Sequence, residues 1–140
     1  MQNSKEILFV NVIHPKKGKL EEFAKLQVKD FTTYGSKLDG SISNEFYVSV
    51  NEQGDGHCVN IARFEDLESY YRGTSTITFK NHIERIKPLL EGTQPMLLKK
   101  VWQSGDSEKE YSSQEPEAQL LRDLDRGLRQ KYKAPSIESH

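Results

Sequence analysis

The sequence predicts an α+β domain in which a four-stranded antiparallel sheet carries its helices on one face. Three observations lead there. The run Ile7-Leu8-Phe9-Val10-Asn11-Val12-Ile13 is apolar on both parities. Alternate residues of a strand point to opposite sides of a sheet, so this strand needs cover on both faces. Further along, an alternating segment (residues 42–50) and an apolar run (residues 58–64) flank a glycine-rich turn, the pattern of a hairpin. Two other stretches have the spacing of amphipathic helices, one after the first strand and one after the hairpin. The order strand, helix, strand, strand, helix, strand is that of the ferredoxin-like split βαβ arrangement.

Each element has its own signal. Pro15-Lys16-Lys17-Gly18 ends the first strand and opens a helix. Leu20, Ala24, Gln27, Phe31, Tyr34 and Leu38 follow at i, i+4, i+7, i+11, i+14 and i+18, with Phe23 and Leu26 widening the stripe. Leu38-Asp39-Gly40 is the expected stop, because glycine accepts the positive φ that ends helices. In the second strand, Ile42, Phe46, Val48 and Val50 share one parity; Asn51 to Gly56 make the turn, and Cys58 to Phe64 the third strand. A short helix runs through Leu67, Tyr70 and Tyr71. A second helical piece starts at about Ser75, with Phe79, Ile83, Ile86 and Leu90 on its stripe. Pro88 should kink or restart it, since proline removes a backbone donor. Residues 95–102 are the expected last strand.

The chain divides into a domain of residues 1–104 and an extension of residues 105–140. Residues 104–114 read as a polar linker, and Glu115-Pro116 as a helix start with proline in the first turn. Leu121, Leu124, Leu128 and Tyr132 form a narrow stripe that is too weak to fold alone and needs an apolar surface to dock on.

At 140 residues, few helices are available to cover the second face of the first strand, so a second copy of the sheet is expected there and the chain is expected to be a homodimer. Its 20 basic and 21 acidic residues nearly cancel, which leaves no electrostatic footprint for nucleic acid or an anionic membrane. No apolar stretch approaches the roughly 20 residues of a membrane helix. The polar start Met1-Gln2-Asn3-Ser4-Lys5-Glu6 has no secretory apolar segment, so a cytoplasmic location is expected. The lone Cys58 excludes an internal disulfide and a multi-cysteine metal site.

Several segments, in this order, resemble the antibiotic biosynthesis monooxygenase domains. They are Phe9 to Phe23 (FVNVIHPKKGKLEEF), Gly40 to Tyr47 (GSISNEFY), Asn60 to Leu67 (NIARFEDL), Phe79-Lys80-Asn81-His82-Ile83 and Pro88-Leu89-Leu90-Glu91-Gly92. Phe64-Glu65-Asp66 stands where that family often has Trp-Glu-Ser. The resemblance spans residues 6 to 103 and implies a dimeric αβ barrel, two sheets packed face to face. It also implies oxidation of a phenol or quinol, or a polyketide-like substrate, by oxygen without metal, flavin or other cofactor. The alternative is a non-catalytic ligand-binding or assembly module of the same fold. Haem-degrading relatives share the Asn11-to-Gly18 spacing and a histidine near His82. They also use a helix tryptophan, where this chain has Tyr70, Tyr71 and Arg72, so haem degradation is disfavoured.

Asn11 is the first candidate for catalysis, since an amide isolated in an apolar run needs a partner or a ligand. His82 is the candidate base, the side chain whose ordinary pKa lies nearest neutrality. Gln27, on the apolar stripe, is expected to face the same cavity; otherwise it lies at the edge of the stripe. Phe31, Tyr34, Tyr71 and Trp102 are candidate walls for a flat aromatic ligand, though aromatics at helical spacing are more often core. Arg63 needs either the ligand or a carboxylate, with Glu45 across the hairpin as the structural partner. No histidine pair has a recognised metal spacing.

Overall fold

The computed structural model describes residues 5–34, 40–51 and 56–134. The elements are β1 (Ile7–Pro15), α1 (Leu20–Tyr34), β2 (Ser41–Val48), β3 (Cys58–Phe64), α2 (Leu67–Thr74), α3 (Ile77–Ile86), β4 (Leu90–Leu98) and α4 (Glu108–Lys131). The sheet is antiparallel with strand order β2-β3-β1-β4, the ferredoxin-like topology. Among the described residues no helix is long and apolar enough to cross a membrane.

Local chemistry sets the boundaries. Asp66 caps α2 by accepting from the Ser69 amide, and Thr76 caps α3 by accepting from the Phe79 amide. Pro88 sits in a 3-10 turn, Lys87–Leu89, that separates α3 from β4. The last strand therefore begins at Leu90, earlier than the expected residue 95, and ends before Trp102. Leu90 fits the helical stripe by spacing, but the missing proline donor releases the chain into the sheet. Pro95 is tolerated because β4 is an edge strand. The expected stop at Leu38-Asp39 and most of the Asn51–Gly56 turn lie outside the described residues. Gly40 has φ +74°, and a Cβ there would come within 2.3 Å of the Ser69 side chain, so the start of β2 is pressed against α2.

Ile7, Phe9, Asn11 and Ile13 face the helices, as do Cys58, Asn60, Ala62 and Phe64 of β3. Two apolar clusters result. One joins Ile7, Ala62, Phe64, Leu67, Tyr70, Tyr71 and Leu128; the other joins Ile13, Phe23, Cys58 and Ile86. Between them the register sets Asn11 directly opposite Asn60. Two adjacent amides interrupt the apolar core at its middle.

The other face has Val10 between Ile61 and Met96, and Val12 between Val59 and Gln94. Met96 and Leu98 there remain 42% and 41% exposed. None of these side chains joins either core cluster.

The extension differs from its expected form. α4 starts at Glu108, where Ser107 accepts from the Glu110 amide, and Pro116 lies inside the helix rather than at its start. Leu128 is buried, and Leu121, Tyr132 and Ala134 pack beside it. Leu124, expected on the stripe, is turned to solvent.

Candidate functional site

The interruption of the core opens into a cavity of about 440 Å³ between the sheet, α1, α2, α3 and the end of α4. Its floor is polar. Gln27 Nε2 donates to Asn60 Oδ1 at 3.4 Å, while Asn11 Oδ1 and Gln27 Oε1 are buried with no hydrogen-bond donor among the described residues. A buried acceptor without a donor is costly, so both oxygens suit a ligand that brings O–H or N–H groups. Phe9, Phe31, Tyr70, Tyr71 and Phe79 supply aromatic wall.

His82 completes the inner wall. Its Nδ1 lies 2.6 Å from Asp30 Oδ2, and the same oxygen accepts from Arg85 Nε and from a terminal guanidinium nitrogen at 3.1 Å each. The position of Asp30 three residues after Gln27 on α1 carries its carboxylate to α3, where Arg85 follows His82 by three. Phe31 packs edge-on to the His82 ring at 4.9 Å.

Burial pulls two ways here. Desolvation works to raise the Asp30 carboxyl, but the hydrogen bonds from His82 and Arg85 outweigh it and hold its pKa below 3.8. Desolvation depresses the His82 imidazole below 6.5, and the attraction of Asp30 does not restore it. At neutral pH the pair is thus carboxylate and neutral imidazole. An ionised carboxylate can only accept, so Nδ1 carries the proton and the ring's lone pair lies on Nε2. This is the electronic arrangement of a general base.

Asn11, His82, Gln27, Phe31 and Tyr71 are brought together around this cavity. Three other candidates are not. Tyr34 is outside it at the exposed end of α1, with the Arg85 guanidinium over its ring at 5.9 Å. Arg63 has the outward parity of β3 and pairs with Glu6 at 3.2 Å, not with Glu45: the register sets Ser43 opposite Arg63, and Glu45 accepts from the Tyr47 hydroxyl. Trp102 lies beyond β4, half-exposed, with Nε1 donating to the Asp106 carbonyl. Sequence reasoning missed Asp30, Asn60 and Arg85, and also Tyr132, Lys133 and Ala134, which line the outer part. Asn60 carried a usable signal: it has the inward parity of β3, between Cys58 and Ala62.

Cys58 is buried, and desolvation pushes its thiol up to about 11, so it is inert as a nucleophile. Among the described residues no group of three or more His, Cys, Asp or Glu side chains could hold a metal ion.

No protein-family model matches the sequence, and no curated protein matches it. Solved structures do match by fold. SnoaB from Streptomyces nogalater, a cofactor-independent oxygenase, aligns with a TM-score of 0.64 at 18% identity, over 73% of this chain and 99% of its own. A provisionally named antibiotic biosynthesis monooxygenase from Caulobacter crescentus aligns with a TM-score of 0.62 at 17% identity, over 70% and 92%. Another such protein, from Nitrosomonas europaea, aligns with a TM-score of 0.62 at 10% identity, over 72% and 95%. The chain therefore has the α+β ferredoxin-like fold of these oxygenase structures, with a C-terminal helix.

Proposed function

We propose that the chain is a monooxygenase of the antibiotic biosynthesis monooxygenase type, acting without metal or flavin on an aromatic phenol or quinol. The observation that carries this reading is the buried Asp30–His82 pair on the wall of a cavity whose floor presents two amide oxygens with no donor among the described residues. A phenol hydroxyl can donate to Asn11 Oδ1 in the resting complex. His82 Nε2 then takes its proton, and the Asn11 amide, turned by half a rotation, can donate to the phenolate. The phenolate supplies the electrons: its ring carbon attacks O2, one oxygen atom becomes the new carbonyl, and the other leaves as water. For a phenol with a free para position, phenol plus O2 gives quinone plus water, which balances without an added reductant. Preorganised donors and a base of suitable pKa are what such a step requires.

The apolar outer face of the sheet supports a homodimer. Leu8, Val10, Val12, Val59, Ile61, Met96 and Leu98 share that face, and a second sheet laid on it would cover them.

The test is oxygen uptake on a panel of phenols and naphthols with no metal or flavin added. Uptake by the wild type that falls in His82→Ala and Asn11→Ala supports the reading. Binding of phenols without uptake would sink it in favour of a non-catalytic binding module.

A further inference from the structure

The last turn of α4 is held in place by contacts that a solvent-facing helix end does not need. The Tyr71 hydroxyl donates to the Asp125 carboxylate. Glu68 of α2 accepts from both Lys131 Nζ at 3.0 Å and the Tyr132 hydroxyl at 3.2 Å. The Tyr132 ring stacks on Tyr71 at 6.4 Å with an interplanar angle of 14°. The chain then reverses, with the Ala134 amide donating to the Arg129 carbonyl at 3.0 Å, so that Lys133 and Ala134 come back onto the cavity.

Lys133 makes this reversal with φ +52°, in the left-handed region where glycine is the usual residue after a helix. A lysine there is conformationally unfavourable, and such outliers point to function. Lys133 lines the cavity and is exposed, which places it at the rim. Lys80 of α3 is likewise an exposed lining residue. Among the described residues neither side chain is ion-paired, and the acidic residue on the lining is Glu84. Two lysines and one glutamate are thus exposed members of the lining of a cavity that is aromatic and amide-lined inside.

We propose that the C-terminal extension is part of the ligand site: its last turn builds the outer wall, and Lys133 with Lys80 selects aromatic ligands that carry an acidic group at the end remote from the reacting hydroxyl. This rests on the ligand-cavity reading above and extends it to substrate class. The hydroxyl end reaches Asn11 and His82, and the anionic end stays at the rim, where desolvating it costs little.

The experiment measures binding rather than turnover, by titration calorimetry of the full chain with 5-hydroxy-1-naphthoate and its neutral isostere 5-hydroxy-1-naphthamide. The wild type should bind the acid about tenfold more tightly at low salt, the scale of two partly exposed charge contacts, and the preference should shrink as salt is raised. Lys133→Gly, which suits the backbone, should keep the fold and lower the preference by weakening the acid more than the amide. Combined with Lys80→Gln it should bring the ratio to about one. Ala134→Trp, which adds bulk to the wall, should weaken both probes. Equal binding of the two probes by the wild type, a preference that survives the double variant, or no effect of Ala134→Trp would overturn the proposal. Binding of neither probe would instead overturn the ligand-cavity reading beneath it.

Discussion

The Asp30 carboxylate on α1 meets the His82 imidazole on α3 at 2.6 Å, bridging 52 residues of sequence. This contact fixes which ring nitrogen carries the proton, and Arg85 on the same carboxylate oxygen keeps the acid ionised. In the proposed reaction Asp30 is a positioning residue, acting on a ligand through His82.

Asp30→Asn removes the charge that favours the imidazolium, so the His82 pKa should fall further. Phenol turnover should drop by about 10- to 100-fold, within the range of general base catalysis. The acid limb of the kcat/KM profile should also move to lower pH. A drop in rate with an unmoved limb would show that Asp30 serves only the packing of α1 against α3.

His82→Ala should lower turnover by roughly 100-fold or more. Because the folded His82 pKa lies below 6.5, the wild-type rate should be level from pH 7 upward and fall only below 6.5. The acid limb should vanish in the variant. A wild-type limb centred above pH 7 would assign it to another group.

Stability should follow the same two groups in separate pH windows. As pH falls, the unfolded chain protonates its histidine near 6.5 while folded His82 is still neutral, so stability is full above 6.5 and declines below it. Asp30, with its folded pKa below 3.8, adds a second loss only beneath that value. Denaturant midpoints from pH 8 to pH 3 would check this, and His82→Phe should flatten the upper window.

Asn11→Ala should reduce turnover on the order of 100-fold, because the variant can neither accept from the phenol nor, once the amide has turned, donate to the phenolate. It removes a buried acceptor that has no donor among the described residues, so the melting temperature should hold or rise. A large loss of stability would mean that Asn11 is a framework amide.

Light scattering at micromolar concentration should give about twice the 16.1 kDa chain mass, since sheet-to-sheet interfaces of obligate dimers commonly bury more than about 2,000 Å². Val10→Lys, at the centre of the outer face, should yield monomer. A stable monomeric wild type would remove the barrel from the account.

Much of the architecture could be read from the sequence because strand parity and helix spacing are local properties. The inward parity of Ile7 to Ile13 and the stripe of α1 gave the sheet and its cover. The start of α4 was also readable: Ser107 and Glu110 are a capping-box pair, but the polar composition up to residue 114 looked like linker. Asp30 was not readable. A carboxylate beside Lys29 on a charged helix looks solvated until α3 is packed on it, and that packing is a long-range fact. Arg63 and Trp102 failed for the opposite reason. Their types suit a ligand, but strand parity and the end of β4 turn them elsewhere.

Tyr132, Lys133 and Ala134 touch the cavity while Tyr71 and Glu68 hold the same turn to the body. A molecule in the cavity therefore bridges two parts of the chain and binds the docked helix more tightly than a detached one. A ligand shifts such an equilibrium by no more than the ratio of its two affinities, so about a tenfold difference makes detachment about tenfold rarer at saturation. Occupancy is thereby written into the susceptibility of the tail to cleavage: a protease that samples detached helices would trim empty molecules and spare loaded ones.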